Sequence, residues 1–272
     1  MQVSADATTG PQSLVAPNYL HDAPELYEAY TADVGTELIE AVAARLARRG
    51  AGSVLDVGCG PGAEMAFLRA RGFHADGVDA SGRMVARARE RCPDARVEQR
   101  LMTDLDLPDR YDCILCLGST FLYNYTPAEV DRALTEFRRH LQPSGLLVLE
   151  MRNGGYFLTE AGQRLLHDTS TVSIDLPDGS ALTCTSRLSI DVARQRLRRE
   201  YAWSRGQEES ATEVIFHRLL FPVEIRYLLQ VAGFEVLSVS NHPASLADEA
   251  WSLPEQLDGP RVIVAAHMTR EA

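Results

Sequence analysis

A chain of 272 residues, 45% hydrophobic and 24% charged, is long enough for one large α/β domain or a domain with an insertion, and has the composition of a globular protein. Its formal net charge of −11 argues against a nucleic-acid backbone as substrate. No apolar stretch is long enough to span a bilayer, the N-terminus lacks the basic-then-apolar pattern of a signal peptide, and scattered cysteines read as those of a reduced cytoplasmic protein.

Residues 1–17, polar and punctuated by Pro and Gly, read as a mobile tail. A stretch bearing Tyr19, Tyr27 and Tyr30 leads into an amphipathic helix over Val34–Leu46. Ser53–Val57 is a buried strand that carries an acid, Asp56, and runs into Gly58-Cys59-Gly60-Pro61-Gly62, after which Ala63–Ala70 has helical spacing. Glycines there allow positive φ and close approach of a ligand, and the helix N-terminus presents unpaired N–H groups. The spacing Gly58, Gly60, Ala63 also satisfies the dinucleotide fingerprint. Asp56 and Pro61 point elsewhere, because a carboxylate suits a ligand with an ammonium and proline removes a donor from a pyrophosphate cradle.

Gly72–Asp79 is a second strand ending in an acid, about twenty residues beyond the glycines, the spacing at which an acid reaches ribose hydroxyls. Ser81 caps the next helix, which holds Met84. Ala95–Arg100 is the third strand and Tyr111–Cys116 lies in the fourth; Cys113-x-x-Cys116 is two strand residues, with no metal site in the chain. Thr126 and Pro127 open a helix that runs to Leu141, and Leu146–Glu150 belongs to a fifth strand. Ligands of an open parallel sheet sit beyond the carboxyl ends of its strands. Leu117–Tyr125, Glu150, Arg152, Asn153 and Tyr156 fall there, and Ser119 with Tyr123 offers hydroxyls suited to a small organic substrate. Alternating segments then read as a hairpin about Asp178-Gly179, followed by strands over Arg196–Trp203 and Ala211–Leu220. A helix over Val223–Ala232 and strands over Phe234–Val239 and Arg261–His267 close the chain.

The run Leu55-Asp56-Val57-Gly58-Cys59-Gly60-Pro61-Gly62, with the segments after it to residue 150, resembles the class I S-adenosylmethionine (SAM)-dependent methyltransferases. The resemblance implies an α/β fold: a Rossmann-like seven-stranded sheet, here with an antiparallel β-sheet inserted after the fifth strand. Over 151–272 the chain resembles the amino-sugar N,N-dimethyltransferases of antibiotic biosynthesis, through a comparable insertion and the re-entry His217–Glu224. It implies a core of residues 51–151 and 221–272, a helical lid of 18–50, and a substrate-binding and oligomerising insertion of 152–220. SAM, with S-adenosylhomocysteine as product, would contact Tyr19, Tyr27, Tyr30, Asp56, Gly58, Cys59, Gly60, Asp79, Ala80, Met84, Leu101, Met102, Thr103, Leu117 and Gly118. The plain alternatives are that the tyrosines pack a helix on the sheet and that Met84 is a core residue. The family often has Gly-Asp where this chain has Arg100-Leu101, which leaves adenine to the backbone near Met102, with Asp104 as a substitute acceptor.

No Asn/Asp-Pro-Pro-Tyr/Phe motif follows the fourth strand, which disfavours DNA bases and protein amides as acceptors. The expected partner is a small-molecule acceptor, most simply an amine, with no nucleic acid or membrane and with a homodimer as assembly; O- or C-methylation stays open, as do an NAD-linked oxidoreductase and a non-catalytic SAM-binding module. Candidate catalytic residues are His217, a base titrating near neutrality, and Tyr123. Candidate acceptor contacts are Ser119, Tyr123, Glu150, Arg152, Asn153 and Tyr156, with Arg152 able to pair with a carboxylate or to face solvent.

Overall fold

A computed structural model describes residues 18–32, 35–176, 178–206, 208–247 and 257–269. The expected mobile tail of residues 1–17 lies outside the described residues. Two short helices lead in, α1 (Pro24–Tyr30) and α2 (Glu37–Arg49). The core then alternates β1 (Ser53–Val57), α3 (Ala63–Arg69), β2 (His74–Asp79), α4 (Gly82–Arg91), β3 (Val97–Gln99), β4 (Tyr111–Cys116), α5 (Pro127–His140) and β5 (Leu141–Arg152). After α6 (Glu160–His167) come β6 (Thr169–Asp175), β7 (Ala181–Asp191), β8 (Arg196–Arg205) and β9 (Glu208–Arg218). The chain returns through α7 (Pro222–Val231), β10 (Phe234–Ser240) and β11 (Arg261–Met268).

The larger sheet has seven strands in the order β10-β11-β5-β4-β1-β2-β3. Its strands from β3 to β5 are parallel, whereas β11 runs antiparallel to both β5 and β10. Alternation along each strand sends side chains to opposite faces. In β4, Ile114 and Cys116 join the core built with α5 and α7, whereas Cys113 and Leu115 join the core built with α2, α3 and α4. Cys113 and Cys116 are thus buried on opposite sides of the sheet, as two strand residues. Local chemistry fixes the helix ends. Thr126 and Glu129 form a reciprocal capping box on α5, with Pro127 at its first turn and Arg138, Arg139 and His140 at its negative end.

The second sheet is the meander β6-β7-β8-β9, inserted after β5. Its inner face, with Leu182, Cys184, Tyr201, Trp203 and Ile215, packs on Leu20 and Leu26 of the N-terminal segment. Leading strands and segment thereby share one apolar cluster above the carboxyl edge of the larger sheet. The long segment before β6, which the sequence left without an element, contains α6, capped by the Thr159 hydroxyl accepting the Gly162 N–H. Among the described residues, no helix is long and apolar enough to cross a membrane.

Candidate active site

The turn after β1 has the backbone its glycines imply: Gly58, Gly60 and Gly62 lie at φ of 77°, 52° and 79°. Asp79 closes this turn from β2. Its carboxylate accepts the Gly60 N–H at 3.0 Å and the Ser81 N–H at 2.8 Å, so it fastens the glycine turn to the start of α4. Asp56 is buried with its Oδ2 unpartnered among the described residues, and the charge of Glu64, in the first turn of α3, acts on it. Burial, then the charges of Glu64 and Asp79, pushes the Asp56 carboxyl well above its usual range. Burial likewise raises Glu64, and it raises Asp79 against the opposing N–H groups of Ser81 and Gly60. Three crowded carboxyls with a free oxygen suit a cationic ligand, which would bring all three back towards their ordinary values.

Tyr27 lies over this turn. A side-chain carbon placed on Gly60 would come 3.8 Å from its ring, and one on Gly118 would come 3.9 Å from its hydroxyl. Burial and the negative charges of Glu64, Asp79 and Asp56 push the Tyr27 phenol up to about 12. Tyr19 and Tyr30 pack on the inserted sheet, with ring centroids 5.4 Å and 6.3 Å from Trp203. Asp22 ties the same segment to α4 by accepting the Ser81 hydroxyl at 2.6 Å.

The other cofactor candidates divide in the same way. Met84 is fully buried at the start of α4, and the Cys59 side chain is buried beside Gly77. The Ala80 carbonyl accepts the Gln99 amide at 3.0 Å. Leu101 bridges to Asp104, leaving Met102 and Thr103 half-buried at the turn; Met102 Sδ lies 3.0 Å from the Asn124 amide. Leu117 is half-buried, and the Gly118 N–H donates to Glu150 at 3.0 Å.

Three of the candidate acceptor contacts already hold partners within the protein. Both oxygens of Glu150 face Arg261, and one also accepts the Gly118 N–H. Ser119, at φ 70° and fully buried, accepts the Arg152 N–H at 3.1 Å and an Arg261 N–H at 3.3 Å. Asn153 is fully buried, with its amide N–H groups on the Leu257 and Gly259 carbonyls and its oxygen on the Gly155 N–H. These residues lock the exits of β4 and β5. Tyr156 stands apart in the next turn, edge-on to Phe157.

Tyr123 and His217 do meet, ring to ring at 5.0 Å and nearly perpendicular. The Tyr123 hydroxyl is 3.1 Å from Nδ1 of His21, and both His217 ring nitrogens are buried without a partner among the described residues. Burial, then the charges of Arg199, Arg152 and His21, holds His217 well below the usual histidine range, so its imidazole is neutral. Burial raises the Tyr123 phenol, which keeps its proton. His21, Glu64, Arg199 and Arg261 were not singled out from sequence. Glu64 alone had a local signal, an acid in the first turn of the helix that follows the glycines.

His21 makes a pH prediction. Burial, then Arg199, lowers it from 6.5 to about 4. Between those values the unfolded chain binds a proton that the folded chain does not, so this group's contribution to stability falls as pH falls through the window. Wild type is expected to lose about 2 kcal/mol more than H21F between pH 7 and pH 5. Urea unfolding at the two pH values reads the difference, and equal losses would contradict it. The raised acids Asp56 and Asp79 act with the opposite sign but are common to both proteins.

Comparison with known proteins bears on the family and the fold. The methyltransferase domain profile matches residues 54–145. A dTDP-3-amino-3,6-dideoxy-alpha-D-glucopyranose N,N-dimethyltransferase of Streptomyces fradiae is 34% identical over 151 residues, 54% of this chain and 58% of that one. A glycine/sarcosine N-methyltransferase of Halorhodospira halochloris is 33% identical over 115 residues, 40% and 42% of the two chains. The match thus spans about half the length of such curated relatives. Over all of both chains, the sugar N-methyltransferase KedS8 from Streptoalloteichus superposes with a TM-score of 0.72 at 23% identity. Residues 54–145 are a methyltransferase domain in the class I fold. In that methyltransferase domain the acids Asp56, Glu64 and Asp79 gather at the carboxyl ends of β1 and β2, and the inserted sheet brings His217 and Arg199 to the same edge.

Proposed function

We propose that the chain is an enzyme transferring a methyl group from SAM to an amine nitrogen of a small specialised metabolite, most simply an amino sugar. The observation that carries this reading is the buried Asp56 oxygen left unpartnered beside Glu64 and Asp79, under the Tyr27 ring. That set fits the ammonium and sulfonium charges of SAM, and the open glycine turn fits its close approach. The relatives named as sugar N,N-dimethyltransferases and as glycine/sarcosine N-methyltransferases support an amine as acceptor.

SAM, when bound, supplies an already activated methyl group, so positioning and exclusion of water carry most of the catalysis. Asp56 and Glu64 would hold the cofactor's ammonium, Asp79 its ribose, and Tyr27 would cover it. His217, neutral with both nitrogens unengaged, would accept a hydrogen bond from the acceptor N–H and take the proton shed by the methylated nitrogen. Tyr123, held by His21, would orient that imidazole through its ring. In this reading residues 18–50 form the lid, 51–151 and 221–272 the cofactor core, and 152–220 the acceptor site and the surface of a homodimer. The setting would be the cytoplasm, with neither a nucleic acid nor a membrane as partner, in keeping with the net charge of −11.

Calorimetric titration with S-adenosylhomocysteine, NAD and NADP tests the core of the proposal. Micromolar or tighter binding of S-adenosylhomocysteine alone is expected. Binding of NAD or NADP in its place would overturn it.

A further inference from the structure

Residues 18–32 cross from the inserted sheet to the glycine turn, and carboxylates pin them along the way. At the start, Glu213 of β9 accepts the Tyr19 N–H at 2.8 Å, and Leu20 beside it is buried in the cluster of Trp203 and Ile215. In the middle, Asp22 accepts the Ser81 hydroxyl at 2.6 Å. At the far end, Glu28 of α1 meets two arginines of α4. Arg87 grips it as a fork, with Nε 3.0 Å from one carboxylate oxygen and Nη2 3.1 Å from the other. Arg91 reaches the first of those oxygens at 2.6 Å, and also donates at 2.9 Å to the carbonyl of Pro61 inside the glycine turn. The hydrogen bond from Arg87 holds the Glu28 carboxyl below its usual range.

The two ends of this segment differ in how easily they come away. The Glu213 end is backed by buried apolar side chains, and Glu213 also accepts the indole N–H of the fully buried Trp203 at 3.1 Å. The Glu28 end is held by side chains still partly in water, with Glu28 24% exposed, Arg91 28% and Arg87 36%. Such pairs each contribute little and are weakened by salt, but a carboxylate shared by two guanidiniums has a defined geometry. α1 is only seven residues long, too short to persist without such tethers. Tyr27, the neighbour of Glu28, lies over Gly60 and Gly118. A ligand that comes to rest on those glycines has to pass its ring.

We propose that Glu28 is a positioning residue, an ionic catch that holds Tyr27 down over the cofactor turn and sets how fast cofactor and product exchange. Release of Arg87 and Arg91 frees the α1 end of the segment, while the packed Glu213 end stays in place as the pivot. The proposal rests on the methyl-transfer reading above and adds control of access to the same site. Arg91 links the catch to the ligand, since it holds Glu28 and the Pro61 carbonyl at once. A ligand that settles the glycine turn thereby settles the catch.

Surface plasmon resonance on the full chain reads the association and release of S-adenosylhomocysteine. E28Q is expected to release it about tenfold faster than wild type and to bind it faster as well, so that affinity falls less than the release rate rises. A merely structural loss would weaken affinity without raising the association rate. E28D, which keeps the charge, should retain part of the retardation. E90Q strips a carboxylate 3.2 Å from the same Arg87 but leaves residues 18–32 alone, and should match wild type. Raising salt from about 0.05 M to about 0.5 M should narrow the gap between wild type and E28Q. Without ligand, hydrogen exchange in E28Q should quicken over residues 24–31 and stay as in wild type at Tyr19, Leu20 and the seven-stranded sheet. An association rate that E28Q does not raise, an effect that E90Q reproduces, a gap that salt leaves intact, or exchange unchanged over 24–31 overturns the proposal. Failure of wild type to bind S-adenosylhomocysteine would instead remove the methyl-transfer reading, and the exchange pattern alone would then decide the catch.

Discussion

D79N is expected to weaken S-adenosylhomocysteine binding by about ten- to a hundredfold while changing stability little. Asp79 accepts one N–H from the glycine turn and one from the start of α4, at Gly60 and Ser81. Asparagine keeps one acceptor oxygen, and its amide nitrogen meets the other N–H as a second donor. Hydrogen bonds to a charged group contribute about 1.5–3 kcal/mol, and about 1.4 kcal/mol is tenfold in affinity. The ribose side of the proposed cofactor site loses its anionic acceptor as well. Stability has a compensating term, since burial already raises the Asp79 carboxyl, and neutralising it removes a buried charge next to Asp56. The variant should therefore separate ligand affinity from melting temperature. Unchanged affinity by calorimetry would mean that Asp79 only braces the turn.

What was legible in the sequence was what depends on nearest neighbours. The apolar run before Gly58, the glycines at positive φ, the Asp178-Gly179 hairpin and the Thr126 cap each arise from a few consecutive residues. They fix both sheets and the acid-lined end of the site. The opposite end depends on packing between distant segments. Arg199 lies in a run with Arg196 and Arg198, and a slip of one residue in the β8 register would turn it to the outer face. His21 reaches Tyr123 only because the N-terminal segment is held under the inserted sheet. Ser119, Glu150 and Asn153 were rightly placed at the carboxyl edge, yet their polar groups are taken up by Arg261 and by backbone brought in by β11 and the segment before it. Position along a strand can be read from sequence. Occupancy of a side chain's hydrogen bonds cannot.

Arg261 shows how strongly that occupancy should matter. It opens β11 directly opposite Arg152 of β5, and its guanidinium spans Glu150 and the Ser119 hydroxyl. In R261M, Glu150 keeps a side chain only 9% exposed and the Gly118 N–H as its one remaining donor. Removing one partner of a buried ion pair costs about 3–5 kcal/mol, and the 42% exposure of Arg261 moves the expected loss to the lower end or slightly below it. At roughly 2–4 °C per kcal/mol for a domain of this size, the melting temperature should fall by about 5–10 °C. Adding R261M to an E150Q background should cost less than about 1 kcal/mol, because the stranded charge is then absent. Thermal denaturation of the wild type, both single variants and the double variant measures that coupling, and additive losses would refute it. The pair also holds Gly118 and Ser119 in their positive-φ turn opposite Tyr27, so R261M should lose S-adenosylhomocysteine affinity with its stability, whereas D79N loses affinity alone. The contrast between the two variants separates groups that meet the cofactor from those that hold its floor in shape.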